Sequence, residues 1–479
     1  MRTASMRSIS TVAFLLIVQF QATAVLADDI AVSGPITAGK KGGPFSAPIV
    51  DLAERGYQMA EYFLKGTATG YEFVPDNKKT VDGLWKVRSR GEAVPYTTRI
   101  LVVRPIEQKD FNGTVILHWQ NVTAGYELGT VGDNEYLRGY TWIGVSAQKI
   151  GIDGFAGPNA AGLRQWDPDR YGSLDHPGDA YSYDIFTQAA LVVAPDRQQR
   201  KNDPMAGLRV ERLVAAGASQ SASRLWTYIN GVHPLVDVMH GFMPYIGSGG
   251  TIPFDADRLP RGERRRFVRA PTQIRADLNV PVFIVNSETE TLRYAAARQP
   301  DNEKFRLWEI AGSSHVSVPR RIPGDPDAAP AREDLQSPNW HSYFPAYFAA
   351  LRHMHVWLTD GTPPPVTAKI RIKSGEPSAI VKDKHGNALG GIRLPDFAVP
   401  TAELRGRGTS IPGGYRLAFL FGYARDFSND ELKALYGNEK SFRATYEKAI
   451  EASIEEGVLL KEDVAGMRDR AYRWIKGRL

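Results

Sequence analysis

Gly217-Ala218-Ser219-Gln220-Ser221 places a serine among small residues, at the end of an apolar run and just before a helix-like stretch. A serine in that setting can attack a carbonyl if it sits on a sharp strand-to-helix turn. The residues two before and two after it must then be small, because strand and helix nearly touch there. Gly217 meets the first demand. Ser221 stands where a glycine is usual, and is still small. On Gly-x-Ser alone, a capping serine in an alanine-rich bend is the simpler reading. The strand pattern before it and the helix pattern after it make Ser219 the candidate nucleophile.

A serine hydroxyl needs a base. The chain has nine histidines. In the order Ser, acid, His, the base lies after Ser219 on the exit of a late strand. The stretch "FRLWEIAGSSH" reads as a strand, a Gly-Ser turn and then His315. His233 and His240 are too close in sequence to Ser219. His353 and His355 stand two apart on a predicted helix, so they cannot share a face for a metal. The acid holds the imidazole tautomer and stabilises the imidazolium. "VPVFIVNSETET" offers Glu288 and Glu290 for that role. Distance from the strand end favours Glu290, with Glu288 close behind and Asp301 a distant third. Two N–H donors must face the developing oxyanion. The backbone N–H of Gln220 is one. The other is expected from Trp119–Val122, where the side chains of Gln120 and Asn121 are further candidates. This chemistry requires no metal and no organic cofactor.

Such residues need a rigid frame. Strand-like runs lie at 96–105, 113–119, 140–148, 212–219, 280–288 and 304–312, with a weaker one in "PLVDVMHGF". Short continuous apolar runs suit strands buried on both faces of a parallel sheet. Helical patterns follow or precede several of them, as in "DIFTQAALVVAPD", "SASRLWTYINGV" and "YFPAYFAALRHMHVWLTDG". The alternation predicts an α/β, doubly wound, mostly parallel sheet over a main domain at 28–361. Insertions near 149–180 and 247–279 are long enough to be lid-like. The second holds the basic stretch Arg261–Arg269, which reads first as a solvated loop, the alternative being a contact for a polymer or an acidic group. A C-terminal extension at 362–479 begins with short strand-like runs and ends in helices. Ser428 to Glu431 forms a capping box there, and Phe442, Tyr446, Ile450 and Ile454 recur every four residues. Trp119, Trp226, Phe242 and Tyr245 read as core aromatics more readily than as a pocket lining.

Composition narrows the class. The chain has 479 residues, 43% hydrophobic and 23% charged, as in ordinary globular proteins. Net charge is +6, and removing Arg2 and Arg7 lowers it to +4, too little to argue for nucleic acid. Cysteine is absent, which excludes disulfides, thiolate nucleophiles and Cys-ligated zinc. Residues 1–27 read as a signal peptide: two arginines, the apolar run "TVAFLLIV", then small residues ending at Ala27. The expectation is an exported protein, periplasmic or secreted, with no stable membrane anchor after cleavage.

Several stretches together resemble a known family. They are "LHWQNVTAG", "YTWIGVSAQKIGIDG", "RYGSLDHPGDAYSYDIF", "GASQSASRL", "PVFIVNSETE", "AGSSH" and the tail from "FSNDELKALYG" onward. The chain is similar, over roughly residues 40–475, to bacterial "alpha/beta hydrolase domain-containing" proteins. The resemblance implies an α/β-hydrolase fold and a Ser-acid-His site at Ser219, Glu290 or Glu288, and His315. It also implies that Ser221 in place of glycine is shared by relatives of this kind. The resulting expectation is a serine hydrolase cleaving carboxylic esters through an acyl-enzyme, on a small-molecule or polymer substrate. Alternatives are an amidase or peptidase with the same triad, an esterase on glycan or plant-polymer esters, and a non-catalytic binding protein on this fold.

Overall fold

The computed structural model describes residues 29–157, 161–197, 201–256, 260–322, 333–375, 378–409 and 415–479. The leader pattern at 1–27 lies outside the described residues. Nine strands form one sheet: β1 (Ala31–Ser33), β2 (Tyr57–Phe73), β3 (Val87–Pro105), β4 (Thr114–Trp119), β5 (Thr141–Val145), β6 (Arg212–Ala218), β7 (Gly241–Tyr245), β8 (Val282–Ser287) and β9 (Phe305–Ile310). Their spatial order is β1-β2-β3-β5-β4-β6-β7-β8-β9. Strands β5, β4 and β6 to β9 run parallel to one another. The β1, β2 and β3 pairings are antiparallel.

The parallel strands are apolar because both faces are covered. Val115, Leu117 and Trp119 of β4 enter one core, with Phe186 and Ala189 of helix α1 (Ser182–Val193) and Leu225 and Trp226 of helix α2 (Gln220–Thr227). Ile116 of β4 and Val214 of β6 enter the other, with Tyr347 and Met354 of helix α3 (Phe344–Asp360). Each fully buried Val, Leu, Ile or Phe contributes about 1.5–3 kcal/mol. Trp119, Trp226 and Phe242 are fully buried and belong to the first core.

Three elements differ from the sequence reading. The run "PLVDVMHGF" is not one strand. His233–Val236 is helical, with Pro234 in its first turn, and β7 starts only at Gly241. The strand at 96–105 is the second half of β3, which pairs with β2 in a long hairpin bulged between Ala68 and Gly70. The stretch Arg261–Arg269 is a helix.

Buried charge pins that hairpin. Arg99 of β3 pairs with Glu61 of β2, and its Nη1 donates to Glu127 at 2.6 Å. Arg170 also pairs with Glu61, and the Tyr171 hydroxyl donates to it at 2.9 Å. Such a buried group is tolerable only because the charges satisfy one another. Glu127 lies on the loop leaving β4, so the network fixes that loop to the hairpin.

The C-terminal extension packs on the sheet. Ile392 donates its N–H to Glu309 and accepts from Ala311, continuing the β9 edge. Helices α4 (Asn429–Tyr436), α5 (Glu439–Glu455) and α6 (Val464–Ile475) bury Leu432, Phe442, Tyr446, Ile450 and Trp474 in the second core. The Ser428–Glu431 capping box is formed. Among the described residues no helix is long and apolar enough to cross a membrane.

Candidate active site

Strand β6 ends at Ala218 and α2 begins at Gln220, so Ser219 alone makes the turn. It does so at φ 58°, ψ −112°, a conformation costly for a residue with a side chain. Two bonds hold it there: the Ser219 N–H donates to the Tyr245 carbonyl at 3.0 Å, and the Asn121 amide donates to the Ala218 carbonyl at 2.9 Å. The tight turn explains its neighbours. A Cβ at Gly217 would lie 3.1 Å from both Leu225 Cδ1 and Ser221 Cβ. Glycine at 217 leaves room for a small side chain at 221, and Ser221 fills that room. Its hydroxyl is buried and, among the described residues, has no hydrogen-bond partner.

Strands β8 and β9 end at the same edge of the sheet. His315 Nδ1 lies 2.7 Å from Glu290 Oε1. A carboxylate only accepts, so Nδ1 carries the proton and Nε2 is left as the basic nitrogen. The other Glu290 oxygen accepts from the Ser287 hydroxyl. Both side chains are largely buried, Glu290 at 4% and His315 at 10% exposure. The His315 backbone N–H donates to Thr289 Oγ1 at 2.8 Å, and Thr289 donates to the Gly406 carbonyl.

Glu288 takes a different place. Its two oxygens accept from the backbone N–H groups of Gly312 (2.7 Å) and Gly406 (2.9 Å). Burial pushes its pKa up, against those two donors. It therefore ties the turn after β9 to the C-terminal extension. Asp301 pairs with Lys369 at 2.8 Å.

On the β4 side, the side-chain amides are already engaged. The Gln120 amide donates to the Gly129 carbonyl at 3.2 Å, and its backbone N–H donates to Val145 at 3.2 Å. The Asn121 amide holds Ala218, and its oxygen accepts from the Thr123 N–H at 2.9 Å. The Gln220 N–H, in the first turn of α2, has no carbonyl one turn back within the helix.

A second set of residues, not legible in the sequence, braces this edge. The Trp119 indole donates to Gln148 Oε1 at 3.1 Å, and the Gln148 amide donates to Asp179 Oδ2 at 3.1 Å. Arg224 Nη2 of α2 meets the same Asp179 oxygen at 2.6 Å. Burial works against the Asp179 carboxylate, yet Arg224 and then His176 hold its pKa below the usual value. The chain of bonds links the exit of β4 to the helix behind Ser219. Asp179 and Arg224 stand 45 residues apart with no local motif joining them.

Of the other histidines, His118 pairs with the Tyr245 hydroxyl at 3.0 Å, and burial lowers its pKa to about 4. His353 meets the Gly457 carbonyl, and His355 meets Thr114. Among the described residues no group of His, Cys, Asp or Glu has the arrangement to hold a metal.

A mostly parallel sheet with an antiparallel start, and a strained serine turn between a middle strand and its helix, define an α/β hydrolase. The chain belongs to the family described as an alpha/beta hydrolase domain, whose model matches residues 32–469. Among solved structures it is similar to oligopeptidase B from Leishmania major, at 10% identity and TM-score 0.28, over 53% of this chain and 33% of that one. It is also similar to a G231F mutant of the rice cell wall degrading esterase LipA from Xanthomonas oryzae. That match has 11% identity and TM-score 0.30, over 53% of this chain and 84% of the other. The chain thus spans about a third of the length of the oligopeptidase it matches. No curated protein matches it in sequence.

Proposed function

We propose that this hydrolase cleaves carboxylic esters through a covalent acyl-enzyme. Ser219 is the nucleophile, His315 the base and Glu290 the acid that orients it. The observation that carries the reading is the strained Ser219 turn at the strand edge where Glu290 engages His315 Nδ1. Ser219 Oγ attacks the ester carbonyl as His315 Nε2 takes its proton. The oxyanion is stabilised by the Gln220 N–H and a backbone N–H of Asn121 or Val122. The protonated His315 gives its proton to the departing alkoxide, leaving the acyl group on Ser219. Water, deprotonated by His315, attacks the acyl carbonyl; the acid leaves and Ser219 regains its proton. Glu290 stays ionised throughout and stabilises the imidazolium. The leader pattern at 1–27 supports export before this activity is used.

A fluorophosphonate probe tests the nucleophile. Wild-type protein should be labelled on Ser219, and Ser219→Ala and His315→Ala should abolish labelling. Labelling that survives Ser219→Ala would sink the assignment. Turnover of 4-nitrophenyl acetate against the matching anilide then tests ester against amide.

A further inference from the structure

Three arginines from three separate elements converge beside the triad acid. Arg293 lies in the one-turn helix Thr291–Tyr294 that begins immediately after Glu290. Arg269 closes the helix Arg261–Arg269 of the second insertion. Arg407 follows Gly406, which is packed against Glu288 and Thr289 so tightly that a Cβ there would lie 2.5 Å from the Thr289 nitrogen. A further close approach joins the first two. A Cβ at Gly250, on the loop after β7, would lie 2.3 Å from the Val268 carbonyl and 4.0 Å from Arg293 Nη2. The glycine lets the last turn of the insertion helix settle next to Arg293.

Arg293 senses the other two guanidinium groups. The Arg293 pKa is lowered, first by partial burial and then by the charges of Arg269 and Arg407. All three are solvent-accessible. Among the described residues none of them forms an ion pair, while Arg407 lies over the Phe419 ring at 4.7 Å. Arg224, Arg298 and Arg405 each have a carboxylate within 2.6 Å. Like charges held together are unfavourable unless an anion joins them, and a guanidinium fork grips a carboxylate with two parallel hydrogen bonds.

We propose that Arg269, Arg293 and Arg407 form a receptor for a carboxylate on the substrate, remote from the ester that is cut. The inference rests on the esterase reading and names its substrate class: monoesters of short dicarboxylic acids, or esters of similar anionic reach. Arg293 stands three residues past Glu290, about 4.5 Å along a helix. On this reading the ester carbonyl sits at Ser219 and the carboxylate at the far end of the acyl chain.

The test compares a neutral ester, 4-nitrophenyl acetate, with an anionic one, 4-nitrophenyl hydrogen glutarate. Wild-type enzyme should prefer the anionic ester, and added salt should weaken that preference. Arg293→Gln, Arg407→Gln and Arg269→Gln should each lower the anionic-to-neutral ratio of kcat/KM by about tenfold, mainly through KM. Arg209→Gln, at a distant and 82% exposed site, should leave the ratio unchanged. A ratio indifferent to salt and to all three variants would overturn the proposal. Calorimetry with free glutarate separates this outcome from failure of the esterase reading. Binding that is lost in the Arg293→Gln/Arg407→Gln double variant supports the receptor whether or not either ester is cut. Absence of glutarate binding to the wild-type protein overturns it.

Discussion

Glu290 spends one oxygen on His315 and the other on Ser287, whereas Glu288 spends both on backbone N–H groups. Their variants should therefore fail in different ways. Glu290→Gln keeps the shape but offers an amide that can stabilise neither the imidazolium nor its tautomer. Its kcat on 4-nitrophenyl acetate should fall by about 10³–10⁴-fold, with little change in melting temperature. Glu288→Gln places an NH2 group against a backbone N–H in a buried site, at a cost of about 1–3 kcal/mol. It should melt earlier while turnover per folded molecule changes far less. Steady-state kinetics and thermal melts on the two variants decide the matter, and the opposite pattern would exchange their roles. Sequence distance from the end of β8 favours Glu290 only slightly. The backbone partners of Glu288 are what support giving the acid's part to Glu290, and one of these, Gly406, lies 118 residues away.

Among the elements, the β6–α2 turn depends on how closely strand and helix approach. Gly217→Ala would press a methyl group to 3.1 Å from Leu225 and Ser221, and α2 must move to relieve it. A shift of that kind misplaces Ser219, and kcat should fall by about 10²-fold with the fold intact. Ser221→Ala removes a buried hydroxyl that has no partner among the described residues. It should keep activity and gain up to about 1 kcal/mol of stability, read from denaturant melts. Legibility also divides along these lines. Strands β4, β6, β8 and β9 are readable because strands buried on both faces are continuous apolar runs. The capping box of α4 is readable because its two hydrogen bonds are local. Strand β2 is not, because Glu61, Lys65, Gly66 and Gly70 break its alternation, and Glu61 is buried only through Arg99 and Arg170. β7 is displaced from its apolar run because Pro234 starts a helical turn inside it. The Trp119–Gln148–Asp179–Arg224 brace is invisible for the same reason as β2: its partners meet only after folding.

On the scale of the whole molecule, the extension after residue 361 reads in sequence as an appendage, since its prolines and short runs share no period with the sheet. Its contacts are those of an integral part. Gly406 holds Glu288 and Thr289, and Thr289 in turn holds the His315 backbone. The Val316 N–H, next to His315, donates to the Leu420 carbonyl at 3.0 Å. Asn339 bridges the Gly312 and Arg405 carbonyls at 2.7 and 3.0 Å. Arg320, five residues past His315, lies with its guanidinium 3.4 Å from the Trp474 ring and 4.1 Å from Trp340. The loop that carries His315 is thus built against the extension on every side that these contacts reach. Apolar residues from 392 to 475 also complete the core on the α3 face of the sheet. A chain ending at residue 361 would expose that face and free the His315 loop together. It should aggregate or lose near-ultraviolet circular dichroism, and it should not react with a fluorophosphonate. A subtler variant separates the two effects: Asn339→Ala removes three hydrogen bonds at the His315 loop, the two its amide donates and the one its oxygen accepts from the His341 N–H, and leaves the helical tail in place. It should fold, with stability lowered by about 1–3 kcal/mol and an earlier thermal melt, and label with the probe much more slowly than wild type. A truncated chain that is folded and labels at the wild-type rate would show that the extension does not position His315.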